Sequence, residues 1–101
     1  MVYLLQKDRL TREDVRIEAA TYDRSTKTME FTIFNSSIKL GRVIQWELMG
    51  TKELQTGGGF PLFPGSRRVV RTNWESVRAA ETVSLRFADF SLTQALSAST
   101  K

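Results

Sequence analysis

From Val15 onward, apolar and polar residues alternate with a period of two, the pattern of half-buried β-strands. Val15, Ile17 and Ala19 share one face, and Arg16, Glu18 and Ala20 the other. The polar run from Asp23 to Lys27 is turn-prone and closes a hairpin. Met29, Phe31 and Ile33 then alternate with Glu30 and Thr32, the clearest strand in the chain. Asn35 to Ser37 ends it, because short polar side chains compete for the backbone groups a strand would use. Arg42 to Met49 predicts another strand, with Ile44, Trp46 and Leu48 on one face. Gly50 and Thr51 form a turn, and Lys52 to Thr56 a short strand with Leu54 inward.

The segment from Gly57 to Arg68 departs from this rhythm. Three consecutive glycines are costly to order and predict a break in the preceding element. Pro61 and Pro64 withhold two amide donors, which excludes the middle of a sheet. Pro64-Gly65 is a turn dipeptide, so the segment reads as a bent connection between strands. Arg67 to Trp74 then predicts an edge strand of mixed polarity, followed by a loop from Glu75 to Ala80. Val83, Leu85 and Phe87 alternate in the last long strand. The phase slips at Ala88-Asp89 before Phe90 and Leu92, which a bulge would absorb.

Residues 1–14 read as an N-terminal segment. Val2 to Leu5 could pair as a strand, and Thr11 to Asp14 resembles a weak helix start or a turn. Residues 15–92 form the body, and residues 93–101 a flexible tail. Six to seven short strands with no convincing helix predict an all-β fold, an immunoglobulin-like antiparallel β-sandwich. A small β-barrel is the alternative.

Composition narrows the chemistry more than it identifies it. A chain of 101 residues is one domain with a single two-layer core. Its 15 basic and 11 acidic residues leave a net charge of +4, short of a nucleic-acid signature by itself. There is no cysteine and no histidine. Disulfides, zinc–thiolate sites, Ser-His-Asp or Cys-His catalysis and His-rich metal sites are therefore excluded within this chain. No stretch reaches the ~20 apolar residues that cross a bilayer as a helix, and Met1 to Asp8 lacks the pattern of a signal peptide.

Arg67, Arg68 and Arg71 form a basic cluster, with Arg78 and Arg86 further along. They could grip an anion, but basic residues on an edge strand also discourage pairing with other chains, and that plainer role is favoured. Alternation divides them, since Arg67 and Arg71 share a face that Arg68 does not. Phe60, Phe63 and Trp74 could offer a stacking surface, although loop aromatics beside proline more often cap a core. Trp46 is in phase with Ile44 and Leu48 and reads as a core tryptophan. The triple glycine lacks the Gly-Lys-Ser/Thr ending of a nucleotide loop. The carboxylates Glu30, Glu47, Glu53, Glu81 and Asp89 are scattered, and Ser66 has no histidine base.

Three stretches in order carry a family resemblance: Phe31 to Ser37, Leu40 to Trp46, and Gly57 to Arg68. Together they resemble the immunoglobulin-like domains of periplasmic pilus-assembly chaperones and related extracytoplasmic bacterial modules. The resemblance implies a sandwich used for assembly and a periplasmic or cell-surface location, while the residues themselves fit a cytoplasmic setting equally well. Such chaperones hold a subunit's terminal carboxylate with basic residues in a cleft between two domains. No counterpart of that basic pair is found here.

The expectation is a non-enzymatic protein–protein interaction or assembly module, chaperone-like, acting through sandwich edges and loops, with no cofactor and no metal. Its contact residues would be Phe60, Phe63, Arg67, Arg68, Arg71 and Trp74, and its partner another protein. The alternatives are binding of nucleic acid or carbohydrate through the arginine cluster and loop aromatics, or a structural subunit that assembles as a homo-oligomer.

Overall fold

The computed structural model describes residues 9–74 and 79–98. Within them, eight strands make two four-stranded sheets. The strands are β1 (Val15–Asp23), β2 (Thr28–Asn35), β3 (Gly41–Met49), β4 (Leu54–Leu62), β5 (Arg67–Asn73), β6 (Thr82–Arg86), β7 (Ser91–Ala95) and β8 (Ser97–Ala98). One sheet has the order β5-β2-β1-β8 and the other β4-β3-β6-β7. All pairs are antiparallel except β1 with β8, which is parallel and two residues long. The fold is an immunoglobulin-like β-sandwich. Its only helical turn among the described residues is the 3-10 turn Arg12–Asp14, and no described helix is long and apolar enough to cross a membrane.

The core lies between the sheets. Met29, Phe31 and Ile33 of β2 meet Val43, Trp46 and Leu48 of β3, with Val83 and Leu85 of β6 beside them, all buried. The Phe31 and Trp46 rings meet edge to face at 6.3 Å and tie the two sheets together. Leu10 is buried too, so the core draws on residues before the predicted body.

Several expectations are corrected. Ala19 does not face inward: the β1–β2 register shifts between Ile17 and Ala19, leaving Glu18 as the extra residue of a β-bulge. Ala20 and Tyr22 take the buried positions instead. On β3, Val43 is buried and Ile44 points outward, although Trp46 and Leu48 face the core as expected. The phase change on β3 is matched on β4, where Gly57 lies under Trp46 while Phe60 and Leu62 are buried. Both paired strands turn over at the same place.

The triple glycine does not end a strand. β4 runs through it and through Pro61 to Leu62, opposite Gly41 of β3, and Leu54 at its start is exposed rather than inward. Pro61 is tolerated because β4 is an edge strand, where a missing donor costs no ladder bond. The corner is confined to Phe63–Ser66. Ser66 N donates to Phe63 O at 3.2 Å, and Gly65 adopts φ +65°, as the third residue of a turn with proline second requires.

The phase slip after Phe87 is a hairpin turn rather than a bulge. Phe87 N donates to Phe90 O at 2.8 Å, and Leu92 returns opposite Leu85. The Phe87 and Phe90 rings stack at 4.5 Å across that turn. The segment from residue 93 is not a flexible tail as far as it is described. Thr93, Gln94 and Ala95 pair with β6, and Ser97 and Ala98 with β1. Val2 to Leu5, most of the Glu75 to Ala80 loop, and Arg78 lie outside the described residues.

Candidate interaction surfaces

As the alternation predicts, Arg67 and Arg71 share one face and Arg68 takes the other, and all three are already engaged. Arg67 and Arg71 lie on the outer face of the first sheet, opposite Phe34 and Glu30 of β2. The bulge delivers Glu18 to this face, where it accepts hydrogen bonds from Arg67 Nε at 2.6 Å and Nη2 at 3.0 Å. Hydrogen bonding from Arg67 holds the Glu18 carboxyl below its ordinary range and raises the Arg67 guanidinium. Arg67 and Arg16 also flank the Phe34 ring, with guanidinium carbons 4.1 Å and 5.1 Å from its centroid. Arg71 donates to Glu30 Oε1 at 2.8 Å and 3.1 Å. Arg68 points the other way and lies over Phe60, 4.8 Å from the ring centroid, closing the open side between the sheets.

Of the aromatics, Phe60 and Trp74 are buried and serve the core, whereas Phe63 is exposed at the corner. Of the expected arginine–aromatic set, Arg68 and Phe60 are brought together at the sheet edges. Only Phe63 remains as an accessible aromatic from that set.

A different surface forms at the end of the sandwich where β2 passes to β3 and β4 to β5. The residues at issue are Ile38, Leu40, Ile44 and Phe63, which are 94%, 58%, 47% and 55% exposed. Two shallow apolar hollows flank them, one of about 350 Å³ reaching Leu40, Arg42, Ile44 and Phe87, the other of about 340 Å³ along Leu40, Arg42, Pro61 and Phe63. Arg42, with Leu40 and Gly41, lines both, and among the described residues it has no acidic partner.

The loop that carries Ile38 is held on every side. Asn35 is fully buried at the end of β2. Its Nδ2 donates to Lys39 O at 2.7 Å and Leu62 O at 3.3 Å. Its Oδ1 accepts from Ser37 N at 3.0 Å and Ser37 Oγ at 2.7 Å, an Asx turn. Gly65 N donates to Ser37 O at 3.1 Å, which joins this loop to the Phe63 corner. Lys39 Nζ reaches Asp14 Oδ2 at 2.9 Å. Sequence reasoning misses Ile38 because an isolated apolar residue in a polar loop has no periodicity to place it.

Asp14 is a chemical latch on that loop. Burial pushes its carboxyl up, but hydrogen bonds from the Thr11 amide, the Lys39 ammonium and the Thr11 hydroxyl outweigh this and hold it below its ordinary range. A carboxyl depressed by folding stabilises the folded state above its unfolded pKa and loses that contribution as pH falls through the folded one. The melting temperature should therefore drop between about pH 5 and pH 3, and drop less in Asp14→Asn. Parallel pH profiles of the two proteins would contradict this.

Charge is unevenly spread along the strands. Around the loop end, Arg9, Arg12, Arg16, Lys39, Arg42, Arg67 and Arg68 outnumber Glu13, Asp14, Glu18 and Asp89 by three. In the opposite half, among the described residues, Arg24, Lys27, Lys52 and Arg71 are one fewer than Asp23, Glu30, Glu47, Glu53 and Glu81. Arg86 sits between, opposite Gln45.

The two outer strands on one side of the sandwich also differ. β5 carries Arg67, Arg68 and Arg71, whereas β4 has no charged residue along its nine positions. Comparison with known protein families, with curated proteins and with solved structures finds no match to this chain.

Proposed function

We propose that this domain is a non-enzymatic protein-contact module that accepts an extended segment of another protein along the free edge of β4. The observation that carries the reading is the uncharged edge itself. Natural edge strands are defended by charge, proline, bulges or short length, because their unpaired amides and carbonyls template further pairing. β5 has that defence in three arginines, and the equally uncharged edges β7 and β8 in their short lengths of five and two residues, while the nine-residue β4 has only Pro61 near its end. Of its glycines, Gly58 has open space around it, with nothing within 4 Å of where a side chain would begin. Main-chain hydrogen bonds would supply affinity, and the exposed Leu54 an apolar anchor.

The immunoglobulin-like pattern and its resemblance to pilus-assembly modules support an assembly role, and with it an extracytoplasmic setting. Polyanion binding is less well supported, since Arg67 and Arg71 are matched by Glu18 and Glu30. A photo-reactive side chain at Thr56 would identify the partner. Partner binding should then slow amide exchange along β4 and be lost about ten-fold or more in Thr56→Lys, with Val69→Lys on β5 unaffected. Protection confined to β5, or full binding by Thr56→Lys, would show the reading to be wrong.

A further inference from the structure

The loop end is built unlike a surface that serves only the fold. Ile38 contributes almost nothing to the core, yet the loop beneath it is fixed by the buried Asn35 and by the bond from Gly65 to Ser37. Phe63 sits on the neighbouring turn, so two adjacent loop tips each present a large apolar side chain. Among the described residues, the same end carries an excess of positive charge, and Arg42 there lacks an acidic partner.

We infer that this end docks on an anionic lipid surface, with Ile38, Phe63 and Leu40 entering the headgroup boundary and Arg42 meeting lipid phosphates. Three features favour lipid over a protein partner. The most exposed apolar side chain, Ile38, projects from a loop instead of lining a groove, which suits a fluid interface. The charge asymmetry along the strands turns this end toward a negative plane before contact. The loops are already ordered, so insertion demands little further loss of freedom. End-on docking leaves the β4 edge, along the side of the sandwich, open to a protein. The inference is thus independent of the strand-addition reading.

The test is co-sedimentation of the whole chain with phosphatidylcholine vesicles, with and without phosphatidylglycerol. Binding should require the anionic lipid and weaken with added salt. Ile38→Asp and Phe63→Asp should each lower it about ten-fold, and Arg42→Glu by a similar factor. Thr56→Lys should leave it unchanged, which separates this result from the strand-addition test. Because Trp46 and Trp74 are buried, an Ile38→Trp variant reports insertion directly through a blue-shifted emission on vesicles. Equal binding to both vesicle types would overturn the inference. So would full binding by Ile38→Asp, an unshifted emission from the Ile38→Trp variant, or retention on polyglutamate without retention on vesicles.

Discussion

Alanine at position 59 is expected to destabilise the domain by roughly 3 kcal/mol or more, enough to leave much of it unfolded at ordinary temperature. A methyl group on Gly59 would lie 2.1 Å from Val43 O, 2.5 Å from Ile44 O and 2.9 Å from Ile44 C. All three are backbone atoms of β3, so no side chain can swing aside. The two strands would have to part where both reverse their inward face. Gly58, one position earlier, has nothing within 4 Å of the same position. Gly58→Ala should therefore change stability by less than about 1 kcal/mol, in the stabilising direction through the unfolded chain. Thermal melts of the two variants side by side decide the matter, and similar melting temperatures would refute the close approach at Gly59.

The second large effect belongs to Asn35. Asn35→Ala should cost roughly 2–4 kcal/mol, because Leu62 O loses a donor inside the protein and the Ser37 turn loses its acceptor. At this chain length that corresponds to a melting-temperature drop of roughly 10–25 °C. Asn35→Asp should be no better at neutral pH. A carboxylate cannot donate to the two carbonyls, and its charge would be buried. Its stability should rise on mild acidification, opposite in direction to the Asp14 effect, as the carboxyl regains a proton to donate. An Asn35→Ala protein that melts within about 2 °C of the original, a difference of roughly 0.4 kcal/mol, would show that the loop is held by other means.

These two sites show where reading along the chain succeeds and where it fails. The alternation of Met29, Phe31 and Ile33, and of Val83 and Leu85, places those residues in the core directly, because both strands are regular there. Periodicity misplaces Ala19 and Ile44 for one shared reason. A bulge at Glu18 and a turnover at Ile44 each reverse the face of everything beyond them, and a two-residue period carries no mark of such a reversal. The glycines read as a break because their ordering cost is a local property. What recovers that cost is Trp46 lying on Gly57 and the Ile44 carbonyl closing on Gly59, both contacts from another strand.

The amino-acid order alone determined that this chain is all-β, that catalysis through histidine or cysteine is closed to it, and that Pro64-Gly65 makes a corner. Those conclusions depend on periodicity, residue chemistry and neighbouring backbone, which are all local. Only the tertiary structure decided that the sheets form a sandwich and not a barrel, which arginines are neutralised, that the longest edge strand is uncharged, and that Ile38 and Phe63 stand together on a positively charged end. These depend on strand order and register, which bring residues distant along the chain to a few ångströms apart.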